Sequence, residues 1–391
     1  MKYLKYFYLN ITIFILNANE INLMSLKGIG AGCEMIGKGI SQALKKNFKV
    51  NYLKSRENNE SFNYKSKTLY ADMLWYVDKD LYKFCPDTYI KIAYSMFEGS
   101  VLPKEWVNAI NNYFDAVVVP DDYLIKIYEN SGVIKPIFVI PMPIFDLNCF
   151  EKNACRQKVF TFGIVGGLDD RKCIEESITA FINTFGNNKE YELRIHAYWA
   201  SSSNYYNNII LLINNYNNIS FTYGVLPRDV SRKIYNEIDC LLSCSAGEGF
   251  SITPREALKS GIPVICLNYG VQKNICNSGY VYSINPNKIK PCFIDSYGGY
   301  CGEIEYADFS VISDAMVNLV NNYDYYKKLA EASNEWLKMF DIKYAGNKFN
   351  NLLNPECIIF GNENKILDNG FMTNNNELLV KFKKYNYSDI N

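Results

Sequence analysis

Residues 239–270, DCLLSCSAGEGFSITPREALKSGIPVICLNYG, constrain the fold more than any other stretch. Two short apolar runs, residues 239–244 and 264–267, have the length and composition of strands buried in a parallel sheet. Between them, Thr253-Pro254-Arg255-Glu256 predicts a helix start, with Thr253 at the cap, Pro254 in the first turn and Glu256 three residues after the cap. Gly261 and Pro263 end that helix after about two turns. The loop Gly247-Glu248-Gly249-Phe250-Ser251 then falls at the carboxyl end of a strand, where open α/β sheets bind ligands. Its glycines let another backbone or a ligand come close, and the helix that follows presents free N–H groups to an anion. Glu248 and Glu256 bracket this helix end. Glu256 has two readings, as the reciprocal half of a capping box with Thr253 or as a carboxylate that grips hydroxyl groups.

The same alternation runs through the rest of the second half. Residues 160–165, 193–197 and 219–223 read as strands, and Ile174, Ile178, Phe181, Ile182 and Phe185 form the apolar stripe of a helix. Val230, Ile234 and Ile238 fall on the inward side of another helix. Repeated strand and helix units predict a doubly wound parallel sheet. The Asn-rich pieces at 204–218 and 374–376 read as loops, 312–337 as an outer helical pair and 344–353 as a last helix. In the first half, residues 6–16 fit a buried strand, followed by Lys27-Gly28-Ile29-Gly30-Ala31-Gly32-Cys33 and a helical stretch. That glycine loop could cradle a phosphate, yet it has neither the Gly-Lys-Ser/Thr ending of a Walker loop nor the dinucleotide fingerprint. Strands are expected at 48–53, 70–76, 90–94, 116–119 and 137–140, with a helix around 107–111. Residues 145–153 read as a linker, and 391 residues are enough for two domains with full cores.

Composition removes several classes of function. Lys and Arg total 41 against 41 for Asp and Glu, without the basic excess of a nucleic-acid surface. No run of 18 apolar residues exists, so no transmembrane helix is expected. Lys2 and Lys5 precede an apolar run, but Asn10 and Thr12 interrupt it and no convincing cleavage site follows, unlike a signal peptide. Twelve cysteines are scattered singly, and the pairs Cys240/Cys244 and Cys149/Cys155 match no zinc or redox spacing. Free thiols in a reducing, cytoplasmic setting are the expectation. The single histidine, His196, stands near a strand end and is left unassigned.

Glu248-Gly249-Phe250-Ser251-Ile252-Thr253-Pro254-Arg255-Glu256-Ala257-Leu258, followed by Gly261-Ile262-Pro263-Val264-Ile265, resembles the Glu-x7-Glu signature of the retaining glycosyltransferases called glycosyl transferases group 1. The resemblance extends over residues 25–350 and takes in Glu98, Leu102-Pro103, Trp106, Val118-Val119-Pro120 and Ser131-Gly132-Val133. It implies the GT-B fold, α/β with two Rossmann-like doubly wound domains facing each other across a cleft. Residues 1–145 would form the acceptor side, 146–340 the donor-binding domain, and 341–391 a helix returning to the first domain plus a tail. The implied reaction moves a sugar from a nucleotide-diphosphate sugar to an acceptor hydroxyl of a glycan, a lipid-linked or a protein-linked molecule, with the anomeric configuration retained.

Residue roles follow from the resemblance. Gly166, Gly167, Arg171 and Lys172 lie in the segment that holds the donor diphosphate, and Lys172 matches the family lysine. The backbone of Gly249, Phe250 and Ser251, with Thr253, would complete the phosphate site. Glu256 would take the ribose hydroxyls and Glu248 the sugar. Gly30 and Gly32 fall in the first-domain glycine loop that faces the phosphates, and Glu98 falls near the acceptor or the reacting carbon. No metal and no cofactor beyond the donor are expected. Peripheral membrane contact stays open, as in relatives acting on lipid-linked acceptors. Three departures stand out. Gly167 replaces the family arginine, Cys173 replaces a glycine, and no histidine stands near residues 95–98. They keep open a catalytically inactive relative that binds a sugar nucleotide or a partner protein. An epimerase or a phosphorylase on the same scaffold is a further alternative.

Overall fold

The computed structural model describes residues 19–26, 31–55, 57, 61–72, 74, 88, 90–150 and 159–353. Two six-stranded sheets organise it. The first contains β1 (Glu20–Ser25), β2 (Lys49–Lys54), β3 (Lys67–Ala71), β4 (Lys91–Tyr94), β5 (Ala116–Val119) and β6 (Ile137–Val139), in the order β2-β1-β3-β4-β5-β6. Every neighbouring pair is parallel. Helices α1 (Ala31–Leu44), α2 (Lys104–Tyr113) and α3 (Tyr123–Asn130) connect these strands. The strand that leads toward the glycine loop is therefore β1. Residues 6–16, expected to be that strand, lie outside the described residues, as do residues 27–30 with Gly30.

The second sheet contains β7 (Phe160–Leu168), β8 (Tyr191–Ala200), β9 (Ile219–Tyr223), β10 (Cys240–Ser243), β11 (Val264–Leu267) and β12 (Tyr282–Ile284), in the order β12-β11-β10-β7-β8-β9. It too is parallel throughout. Its helices are α4 (Ile174–Phe185), α5 (Ser203–Ile213), α6 (Arg228–Lys233), α7 (Ile252–Lys259) and α8 (Lys273–Asn277). Successive connections run outward in opposite directions from β7 and β10, so the loops after these two strands diverge and leave a crevice at their carboxyl ends. That crevice is where the motif loops fall.

Two expectations for this domain fail. The Asn-rich segment folds as α5 rather than a loop. Ser202 caps it by accepting the Tyr205 N–H at 3.1 Å, and Ile209 and Ile213 bury one face. Polar residues elsewhere on the helix face water, and tertiary packing overrides their poor helix propensity. Val230 is 39% exposed rather than inward, because α6 ends at Lys233 and a 3-10 turn brings Tyr235 inside instead.

After β12 the chain makes an antiparallel hairpin, β13 (Lys288–Ile294) and β14 (Gly299–Tyr306), which the sequence reading missed. Helices α9 (Phe309–Asn321) and α10 (Tyr323–Ala332) form the expected outer pair. The final helix, α11 (Ile342–Leu353), returns to the first domain and packs on α1. Contact there is close enough that a Cβ on Gly346 would lie 2.8 Å from the Ala43 carbonyl oxygen. Asn47 Nδ2 donates to the Gly346 carbonyl at 3.2 Å, and Lys67 Nζ donates to the Leu353 carbonyl. The outgoing and returning passes of the chain meet where the Ile144 N–H donates to the Phe340 carbonyl at 2.8 Å.

Candidate active site

β7 continues through Gly166 and Gly167 and ends in a 3-10 turn, Asp170–Lys172. Asp169 shapes the turn by accepting the Arg171 N–H at 3.2 Å. Cys173 then takes a left-handed conformation, φ 51°, at the position where the family has glycine. The loop after β10 is stitched to this turn, since the Arg171 carbonyl accepts the N–H groups of Ala246 at 2.8 Å and Gly247 at 3.3 Å. Arg171 Nη1 donates back to the Gly247 carbonyl at 2.5 Å. Two loops far apart in sequence thus become one unit, and it sets Lys172 against Glu248.

Lys172 Nζ donates to Glu248 Oε1 at 2.5 Å, with the side chains only 16% and 14% exposed. Burial alone would raise the Glu248 carboxyl, but Lys172 and then Arg171 outweigh it and hold it below the usual range. Burial works against charge on Arg171 as well, and Glu98, Asp169 and Glu248 together raise its pKa despite that. Arg171 is a loop brace here, while the Lys172 ammonium stands beside Glu248.

The loop after β10 has no room for side chains at its glycines. A Cβ on Gly247 would sit 2.6 Å from the Glu98 carbonyl oxygen, and one on Gly249 would sit 3.0 Å from Met96 Cβ. Both neighbours belong to the first domain, so this is where the two domains approach across the cleft. Ser251, left-handed at φ 66°, starts α7 without a side-chain cap. Thr253 is therefore inside the first turn and not the cap, which corrects the capping-box reading. The left-handed residue turns the chain into the helix two positions early. Gln272, fully buried, holds the loop from beneath. It accepts from Ser243 Oγ at 2.7 Å and Ser251 Oγ at 3.1 Å, and donates to the Ser245 carbonyl at 2.7 Å. Arg255, 1% exposed, lies between the rings of Phe250 and Phe340 at 4.0 and 4.3 Å and donates to the Ser251 carbonyl at 2.7 Å. Its burial pulls its pKa down to about 10.

Glu256 is 3% exposed. Arg228 Nη2 donates to its Oε1, and Tyr235 OH donates to its Oε2 at 2.6 Å. Arg228 also forks onto Asp146 at 2.8 and 3.0 Å, and Arg232 Nη1 adds a third contact at 2.9 Å. Asp146 lies between the domains, so the second motif glutamate is wired to the interdomain connection. Arg228, Tyr235, Asp146 and Gln272 carried no signal in the sequence, because their partners lie 21 to 86 residues away.

The remaining expected residues are placed as follows. Gly166 is buried, with nothing within 4 Å of where a Cβ would go, whereas a Cβ on Gly167 would lie 2.3 Å from Trp199 Nε1. The indole occupies the volume that the family arginine would enter. Gly32 lies in the first turn of α1. Ser95 is consumed by packing, paired with Tyr128 OH at 2.8 Å and accepting Trp106 Nε1 at 3.1 Å. Glu98 faces the second domain, where Tyr297 OH donates to its Oε2 at 2.5 Å. Lys290, a cation the sequence reading missed, donates to the Asp170 carbonyl and Oδ1, both at 2.9 Å. His196 is inside β8 and not at its end. Its Nδ1 pairs with Thr222 Oγ1 of β9 at 2.9 Å, and burial lowers its pKa. Among the described residues no group of three or more His, Cys, Asp and Glu is arranged to hold a metal ion.

Residues 148–290 match the family described as Glycosyl transferases group 1. No curated protein matches the chain. Among solved structures, Anabaena Alr3699/HepE in complex with UDP and glucose is similar with a TM-score of 0.63 at 12% identity, over 85% of this chain and 99% of that one. A glycosyltransferase from Rickettsia africae gives 0.63 at 14% identity, over 88% and 99%. Sucrose-phosphate synthase from Thermosynechococcus elongatus gives 0.62 at 14% identity, over 85% and 98%. At such identities the likeness is one of fold, and that fold is GT-B, two Rossmann-like parallel-sheet domains.

Proposed function

We propose that this chain, whose residues 148–290 form a glycosyl transferases group 1 domain, moves a sugar from a nucleoside-diphosphate sugar to an acceptor hydroxyl with retention of configuration. The observation that carries the reading is the Lys172–Glu248 pair at the crevice between β7 and β10, beside the start of α7 and opposite Glu98. Departure of a nucleoside diphosphate builds negative charge on the phosphates. A fixed cation and helix N–H groups aimed there lower the barrier without reorganising. Lys172 is that cation, and the backbone of Gly249, Phe250 and Ser251 leads into the helix end. Glu248, kept ionised by Lys172, accepts hydrogen bonds from sugar hydroxyls. Glu256 is the candidate for the ribose diol, its carboxylate held in place by Arg228 and Tyr235. The near contact of Gly247 and Gly249 with residues 96–98 excludes water that would hydrolyse the donor.

The acceptor side is the carboxyl edge of the first sheet, where Leu26, Asp72, Tyr94, Ser95, Met96 and Trp106 line a cavity. A glycan, a lipid-linked or a protein-linked hydroxyl is the acceptor class. No described helix is long and apolar enough to cross a membrane, and the free cysteines suit a cytoplasmic setting, in solution or against a membrane surface. Complexes of Alr3699/HepE hold UDP and UDP-glucose, so uridine diphosphate sugars are the first donors to try.

The test is thermal stabilisation by UDP-, GDP-, ADP- and CDP-sugars, with wild type beside Lys172→Ala. A shift with one nucleotide class that Lys172→Ala loses supports the reading, and transfer to candidate acceptors then follows. A folded wild type that no sugar nucleotide stabilises sinks it. One observation favours a second reading, binding without transfer. Trp199 fills the space at Gly167 and leaves the diphosphate one cation short. Donor binding with neither transfer nor hydrolysis would favour that reading.

A further inference from the structure

The family match ends at residue 290, inside β13, so most of the β13–β14 hairpin lies beyond it. This hairpin grows from the second domain and reaches the first. The N–H groups of Ser100 and Val101 both donate to the Cys301 carbonyl, at 2.9 and 3.0 Å, and the Glu303 N–H donates to Ser100 Oγ at 2.9 Å. The surfaces touch closely, since a Cβ on Gly99 would lie 2.5 Å from the Cys301 oxygen and one on Gly302 would lie 2.2 Å from Ser100 Oγ. At the turn, Tyr297 is 7% exposed. Its ring stacks on Phe97 at 5.8 Å and meets the edge of Trp106 at 5.3 Å. Its hydroxyl ends on Glu98 Oε2 at 2.5 Å, while Glu98 Oε1 has no hydrogen bond among the described residues. At its base the same hairpin holds the donor-side turn through Lys290 and Asp170.

We infer that Tyr297 is a positioning residue for Glu98, carried across the cleft by the hairpin so that the Glu98 carboxylate is set only while the two domains are docked. The inference rests on the transferase reading, in which Glu98 faces the acceptor or the reacting carbon. A free glutamate samples several rotamers. Here one oxygen is tied by a short hydrogen bond to a phenol that two aromatic rings immobilise, and the other oxygen is left for a substrate hydroxyl. The second domain therefore sets the geometry of a first-domain side chain, and closure and alignment become one event.

The experiment is a double-mutant cycle in the full chain with Tyr297→Phe and Glu98→Gln. Turnover, donor KM and melting temperature are measured for all four proteins. Tyr297→Phe keeps the ring stack and removes only the hydroxyl. The expected result is a fall in kcat of about a hundredfold, with donor KM unchanged and the protein still folded at the assay temperature. In the Glu98→Gln background the same substitution is expected to change kcat by less than about threefold. A Tyr297→Phe protein that turns over like wild type overturns the inference and leaves the transferase reading standing. So does an equal loss in both backgrounds, because a purely structural contact acts whether or not Glu98 is present. A wild type that is stabilised by no sugar nucleotide overturns both.

Discussion

A single methyl group at position 167 tests why this chain lacks the family arginine. Gly167→Ala would place a Cβ 2.3 Å from Trp199 Nε1, 2.5 Å from Cε2 and 2.9 Å from Cζ2. Non-bonded heavy atoms rest about 3.5–4.0 Å apart, so the indole must retreat by roughly 1.2 Å or more. Trp199 is 36% exposed and can swing outward, which sacrifices the contacts of its buried face. Overpacking of this kind costs about 1–3 kcal/mol. With about 2–4 °C lost per kcal/mol in domains of this size, the melting midpoint is expected to fall by roughly 2–12 °C. Calorimetry of Gly167→Ala, Trp199→Ala and the double variant reads this directly. The double variant has no clash, so the two losses should couple by about 1 kcal/mol or more. Gly167→Arg has a further consequence. In the Trp199→Ala background the guanidinium has space beside Lys172, and donor affinity should rise, whereas in the wild-type background it should not. A Gly167→Ala protein melting at the wild-type midpoint, or losses that simply add, would refute the steric account.

Asp146 supplies a pH-dependent prediction. Burial alone would raise its carboxyl, but Arg228 first and then Arg232 hold it below the usual range. A depressed folded value contributes stability that is present above the unfolded pKa, about 3.9, and lost as pH falls through the folded value. Asp146→Asn should therefore cost about 1–3 kcal/mol in urea unfolding near pH 7 and much less at about pH 2, and a cost independent of pH would contradict it. Gly247→Ala sets a Cβ 2.6 Å from a backbone oxygen of the first domain, which cannot swing away. X-ray scattering should show a larger radius of gyration and turnover should fall at least about tenfold; an unchanged radius would show that the cleft tolerates the methyl group.

Much of the fold was legible because its carriers are local. The runs at 116–119 and 264–267 are apolar throughout and can only be buried strands, and both are. The stripe of α4 is equally plain, with Ile174, Ile178 and Phe181 buried. Lys172 and Glu248 were found through family spacing, and the structure brings them to 2.5 Å. Several failures share one cause, a partner distant in sequence. Glu256 could not be seen to face Arg228 and Tyr235, nor Gln272 to hold three loop positions, because such contacts exist only once the sheet is assembled. The hairpin escaped notice because Lys288–Ile294 is interrupted by Pro291, and Gly298, Gly299 and Gly302 read as loop. Their positive φ angles of 92°, 111° and 89° are conformations that glycine adopts readily.

The meeting of Ile144 and Phe340 has a mechanical meaning. Two domains joined by one thread can twist, tilt and drift with nearly free rotation. Here the polypeptide crosses twice, and the crossings are pinned side by side, which opposes free rotation of one domain about the other. Phe340 also forms one wall around Arg255, which grips the carbonyls of Phe250 and Ser251. The double crossing and the loop that would hold the phosphates are therefore joined through one side chain, Arg255, so a ligand that orders the loop acts right beside the crossing.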